Sequence, residues 1–224
     1  MKAEQSRSSQ RQRRRYLSGG LPPDKYLTED QQRKLCRYVT ERADAARYRK
    51  TTRAVVDEML VLTLLNTGLR ADELCHLQAG DIHAEADKPA VFVRHGKGGT
   101  RRTVEVSRKF ARKLRDFIRY ERPGAKPTDY VFGSERAKAG DNKPYCYYSV
   151  YTKVKQMGRA VGIPYLSPHV LRHTYLTRLY NTERDLRFTQ DQAGHASPTT
   201  TAIYARTDQK ARRRQVEALD KLWQ

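Results

Sequence analysis

Apolar residues recur along this chain mostly at helical spacing, and alternation is confined to one short region. Thr28 with Gln31 three residues on forms a capping box, and Leu35, Tyr38 and Val39 follow on one helical face. From Arg53 to Thr67 the apolar positions run almost all round (Val55, Val56, Met59, Leu60, Leu62, Leu64, Leu65), which predicts a buried helix. Gly68 ends it, since glycine takes the left-handed conformation at least cost. A new helix is expected over Ala71 to Leu77, with Leu74 and Leu77 inward. Ala90 to Arg94 and Arg102 to Val106 have the β-branched content of strands, and the glycine-rich residues 96–100 between them predict a hairpin. Ser107 caps a helix running to about Glu121, with Phe110, Leu114, Phe117 and Ile118 as its inner stripe. Residues 122–147 are broken by Pro and Gly and read as a loop. A helix carrying Val150, Val154, Met157 and Val161 follows, ended by Gly162 and Pro164. Ser167-Pro168 opens the next, with Leu171, Leu176 and Leu179 buried. A further helix is expected from about Thr182 to Gly194, and a short one after Ser197-Pro198. The predicted fold class is mainly α with a small antiparallel β-sheet (α+β).

Charge changes the picture from a fold to a partner. Lys and Arg number 45 against 25 Asp and Glu in 224 residues, a net charge of +20. Such a field favours a polyanion, of which nucleic acid is the commonest. A membrane is not indicated, because the chain has neither a long apolar run nor a basic amphipathic helix with a greasy face. Residues 1–22, with Arg11, Arg13, Arg14 and Arg15, read as a disordered basic arm. Cys36, Cys75 and Cys146 form no C-x-x-C, so neither a disulfide framework nor a thiolate zinc site is supported. A reducing cytosol fits, and the absence of an apolar leader at the N-terminus agrees. The expected place is the cytoplasm, associated with the nucleoid. Lys97 stands in the glycine-rich turn, but the Walker A spacing is absent, so ATP is not indicated.

The candidate chemistry gathers between Ser167 and Arg206. His169 and Arg172 lie one turn apart near a helix N-terminus, where free N–H groups and the dipole favour an anion. His195 and Tyr204 follow. A phenol attacks phosphorus well only where positive groups hold the phosphate oxygens, and a guanidinium fork suits that task. The stretch therefore reads as a phosphoryl-transfer site with Tyr204 as nucleophile. His169 and His173 are spaced like a zinc pair, but Val170 replaces the glutamate and Arg172 between them would repel a metal, so His173 reads as a packed histidine. Tyr145, Tyr147, Tyr148 and Tyr151, beside Lys143, are either half-core or a stacking surface for sugar and base.

Taken together, TGLRADEL, GKGGTRR, HVLRH, the Gly194-His195 pair and Tyr204 nine residues after His195 resemble the tyrosine recombinases, or phage-integrase family, over roughly residues 25–210. The resemblance implies that Arg70 and Arg172 clamp a scissile phosphate and that Lys97 protonates the leaving 5′-oxygen. It also implies that His169 assists proton transfer, that His195 binds a phosphate oxygen, and that Tyr204 forms a 3′-phosphotyrosyl link to DNA. No metal and no cofactor is then required. Arg101, Arg102, Lys143 and Arg206 are expected as further DNA contacts. The expected organisation is the arm, a catalytic domain over residues 23–210, and a C-terminal helix over 211–224 that either docks in trans or folds back on its own domain. The core-binding domain that family members usually carry ahead of the catalytic one is not expected. The implied partners are double-stranded DNA, further copies of the chain in a tetramer on that DNA, and an accessory DNA-bending protein. Two alternatives share the residues: a non-cleaving DNA-binding regulator, and a type IB topoisomerase-like activity.

Overall fold

The helix predicted to be buried all round is the axis of the molecule. The structure is a computed structural model, and it describes residues 21–96, 99–134, 142–195 and 198–205. Its described helices are α1 (Glu29–Tyr48), α2 (Arg53–Thr67), α3 (Ala71–Cys75), α4 (Arg108–Glu121), α5 (Tyr147–Ala160), α6 (Pro168–Glu183), α7 (Leu186–Ala193) and α8 (Pro198–Ala205). Helix α2 packs against α1, α3, α4, α5 and α6. Val55, Met59, Leu60, Val61 and Leu64 are buried in one cluster with residues from all five neighbours, among them Leu35, Leu74, Leu114, Val154 and Leu171. Removing that apolar surface from water is the main drive for the fold, at about 1.5–3 kcal/mol for each fully buried large aliphatic side chain.

Two acids lie inside α2 itself. Glu58 is fully buried, and its carboxylate accepts hydrogen bonds from Thr40 (3.0 Å), Arg47 (2.6 Å) and Lys113 (2.8 Å). Asp57 pairs with Lys153 of α5 at 2.6 Å. A buried charge is tolerated only when paired and hydrogen-bonded, so these acids fix how α1, α4 and α5 sit on α2.

The capping residues behave as the sequence demands. Thr28 and Gln31 form the capping box of α1, and Ser107 and Ser167 accept the N–H groups of Phe110 and Val170. The sheet is antiparallel in the order β1 (Ile82–His83), β2 (Ala90–Val93), β3 (Arg102–Glu105). The hairpin register pairs Val93 with Arg102 and Ala90 with Glu105. The two-residue strand β1 was not expected; it pairs Ile82 with Val91. Two helix boundaries also differ. Helix α3 stops at Cys75, and α6 runs on to Glu183, past the expected start of α7 near Thr182. Arg184, with φ 56°, closes α6, and the Asp185 carboxylate caps α7 through the Phe188 N–H. The expectations for the N-terminal arm, Lys97, Arg206 and the C-terminal helix lie outside the described residues.

A second, smaller cluster forms where α6, α7 and α8 meet: Leu21, Leu176, Ala193 and Tyr204 are buried there, against Tyr26, Tyr175, Tyr180 and Ile203. It carries the candidate nucleophile. Helix α7 also packs on β3, which brings the sheet to the same place.

Candidate active site

Arg70 owes its position to the glycine before it. Gly68 closes α2 at φ 60°, and Tyr175 packs so closely that a Cβ there would lie 2.4 Å from its ring. The chain turns, and Arg70 becomes the N-cap of α3. Glu73, one turn on, accepts from the Arg70 backbone N–H at 2.8 Å and from its guanidinium at 2.7 Å. Glu73 thus orients Arg70 through both its backbone and its side chain.

Glu73 also takes a second arginine. The guanidinium of Arg102 binds both carboxylate oxygens, at 2.9 and 2.8 Å, and its Nε donates to the Gln192 carbonyl at 3.1 Å. Arg102 was expected as a further DNA contact; its guanidinium is instead taken up by these internal bonds. With its side chain only 8% exposed and every guanidinium nitrogen engaged, it ties β3 to α3 and α7. Burial alone would raise the Glu73 carboxyl. The Arg102 fork, and then Arg70, outweigh it and hold the group at about 2. Arg101 and Lys143, by contrast, lie on the surface.

Arg172, on α6, is buried and spans the site. Its guanidinium donates to the carbonyl of Gly68, at the α2–α3 turn, and to the carbonyl of Ala193 at 2.6 Å, and lies 3.3 Å from Nε2 of His195. Burial, and then the charge of Arg70, bring its pKa down to about 10, so it remains charged at neutral pH. His195 follows Gly194, whose φ of 61° ends α7; the imidazole contacts the Thr201 hydroxyl at 3.0 Å through Nδ1. Burial, then the positive charges of Arg172 and Arg70, lower its pKa to about 3, so it is neutral. His169 is exposed, and its pKa is lowered by partial burial and then by Arg172 and Arg70.

Tyr204 is 1% exposed. Its ring stacks on His195 at 6.4 Å with planes 8° apart, and burial raises its phenol well above the usual range despite the charges of Arg172 and Arg70. The phenol is hydrogen-bonded to Nδ1 of His173 at 2.8 Å. His173, read from sequence as a packed histidine, is therefore a partner of the candidate nucleophile. The signal available was its spacing, four residues after His169 on the same face; nothing in the sequence said that α8 would bring a phenol to that face.

The charges of Arg70 and Arg172 thus act on His169, His195 and Tyr204 alike, which puts the five at one locus, and Lys97 lies outside the described residues. The hairpin turn that carries it is closed by the Gly96 N–H donating to the Thr100 carbonyl at 2.8 Å. Two guanidinium groups, two imidazoles and a phenol form a donor set suited to a phosphodiester and to nucleophilic attack on it. The exposed tyrosines Tyr147, Tyr148 and Tyr151 lie on the first turns of α5, whereas Tyr145 is core.

The sequence profile of the phage integrase family matches residues 25–211. The tyrosine recombinase XerA of Pyrococcus furiosus is 34% identical over 193 residues, which are 86% of this chain and 61% of that protein. The crystal structure of XerA recombinase superposes with a TM-score of 0.67 at 26% identity, covering 86% of this chain and 64% of that one. The XerH site-specific recombinase, in a pre-cleavage complex with its difH substrate, shares the fold with a TM-score of 0.66 at 21% identity, over 92% of this chain and 55% of that one. The chain thus spans about three fifths of the length of its curated XerA relative.

Proposed function

Since the chain belongs to the phage integrase family, we propose that it is a site-specific DNA recombinase that breaks and rejoins strands through a 3′-phosphotyrosyl intermediate. The observation that carries the reading is the placement of the Tyr204 phenol by His195, whose Nε2 lies 3.3 Å from Arg172, where the charges of Arg172 and Arg70 both act on it. In this reading Arg70 and Arg172 hold the non-bridging oxygens of the scissile phosphate. Glu73 keeps Arg70 from collapsing elsewhere, and the carbonyls of Gly68 and Ala193 fix the plane of the Arg172 fork. With Nδ1 accepting from the Thr201 hydroxyl, neutral His195 carries its proton on Nε2 and gives that N–H to a phosphate oxygen. Preorganised donors of this kind act on the charge that develops at phosphorus without having to reorganise first. Lys97 protonates the leaving 5′-oxygen and His169 lies within the same field. The bond energy is kept in the phosphotyrosine, so strand rejoining needs no nucleotide.

Double-stranded DNA is the partner that the net charge of +20 favours. Tetramer assembly on DNA is part of the proposal, because exchange between two duplexes needs four cleaved strands. The test is to incubate the protein with genomic fragments, stop the reaction with SDS, and sequence the DNA that stays attached. The expected result is a covalent adduct at one recurring sequence. Binding without adduct would leave a DNA-binding regulator instead, and adducts spread over unrelated sequences, with relaxation of supercoiled plasmid, would point to a topoisomerase.

A further inference from the structure

We propose that His173 is the general base that takes the proton from Tyr204 as the phenol attacks phosphorus. The inference rests on the recombinase reading and deepens it. It starts from contact: among the described residues, Nδ1 of His173 is the group in hydrogen-bond contact with the phenol oxygen, at 2.8 Å, and the two ring centres are 5.8 Å apart. A general base must stand within hydrogen-bond reach of the proton it removes, and this one does. His169, the residue to which the resemblance gave the proton, is exposed one turn earlier on α6 and makes no such bond among the described residues.

The surroundings set the protonation states from which the step starts. A base must be unprotonated before the step. Burial, and then the positive charges of Arg172, His169 and Lys25, keep His173 neutral, with a pKa brought down to about 4. The phenol opposite carries its proton, because burial raises its pKa. With the ring proton on Nε2, Nδ1 accepts from the phenol. As the step proceeds, the Tyr204 O–H bond breaks and its proton passes to Nδ1. The phenol oxygen then bonds to phosphorus, and the P–O5′ bond breaks with the 5′-oxygen leaving as a hydroxyl, its proton supplied by the general acid. On rejoining, the 5′-hydroxyl gives its proton back to the general acid as its oxygen attacks phosphorus, the P–O(Tyr204) bond breaks, and the imidazolium of His173 returns its proton to the departing phenol. Atoms and charge balance with no further reactant. A cavity of about 430 Å³, lined by Lys25, Ser167, His169 and His173, opens beside the ring. It admits a small base from solution.

The experiment compares His173→Asn, His173→Ala and His169→Ala with the unsubstituted protein. Each is followed by gel shift for binding and by the rate of SDS-resistant adduct on genomic fragments. An asparagine amide oxygen can still accept from the phenol but cannot take its proton. The expected outcome is unchanged DNA binding with adduct formation slowed about 100-fold or more in His173→Asn, the usual worth of a positioned base. Added imidazole should restore His173→Ala and not His169→Ala. Adduct formation by His173→Asn at the unsubstituted rate would make the bond structural only. A faster His173→Ala would make it a latch, and rescue of His169→Ala alone would return the role to His169; each of these overturns the proposal. If the unsubstituted protein forms no adduct at all, the recombinase reading fails first and this proposal falls with it.

Discussion

Glu73 shows how one buried side chain sets several others. It holds Arg70 from below and Arg102 from the side, with its own side chain 2% exposed. Its carboxyl lies at about 2, below the ordinary 4.5, so its contribution to stability is complete above about pH 4.5 and is lost as the pH falls through 2. Glu73→Gln should therefore be less stable at pH 7 by on the order of 3 kcal/mol, which is what breaking a buried ion pair costs. The deficit should shrink toward pH 2–3, measured by denaturant unfolding across that range. A constant deficit would mean that packing, not charge, is what the glutamate supplies. At this scale the sequence was legible in part. His169, Arg172, His195 and Tyr204 were picked out by residue type and spacing, and Arg70 by the family resemblance. The second arginine on Glu73 and the bond from His173 were not, because both arise between elements far apart in the chain: Arg102 is 29 residues from Glu73 and Tyr204 is 31 from His173.

Among elements, the α2–α3 turn is where fold and site are the same object. Gly68 ends the central helix, gives its carbonyl to Arg172 and leaves room for the Tyr175 ring. Gly68→Ala should cost about 1–3 kcal/mol, from positive-φ strain together with the clash against the Tyr175 ring. It should lower adduct yield more than it lowers DNA binding, since it moves the carbonyl that fixes Arg172. A melting scan and a gel shift on the same preparation decide; a variant as stable as the parent would show that the turn relaxes freely. The glycine was legible because a run of apolar residues stopped at it. Ser107 and Ser167 were legible as caps for the same kind of reason. Strand β1 was not, since two residues carry no readable alternation, and neither was the break between α6 and α7. That break is made by Arg184 in a left-handed conformation, a position where sequence leads one to look for Gly or Asn.

For the whole molecule, charge and assembly are coupled. A net charge of +20 should keep copies of the chain apart in solution and draw each to DNA, so binding is expected to weaken steeply with salt. The sequence beyond the described residues places Val216, Leu219, Leu222 and Trp223 at helical spacing, one stripe that ends in the chain's single tryptophan. We propose that this stripe acts between copies in the tetramer. Deleting residues 215–224 should leave binding to one site nearly intact and abolish complexes on paired-site DNA, as read by light scattering. Four-copy complexes from the shortened chain would assign the stripe to its own core.

The central claim is that Tyr204 becomes covalently joined to DNA, and identifying the modified residue tests it most directly. The adduct formed on genomic fragments is digested with nuclease and trypsin and examined by mass spectrometry. The account predicts that the peptide Phe188–Arg206, FTQDQAGHASPTTTAIYAR, carries the residual nucleotide on Tyr204, and that Tyr204→Phe gives no adduct while still binding DNA. A nucleotide found on another of the fourteen tyrosines, or an adduct that persists in the Phe variant, would contradict it.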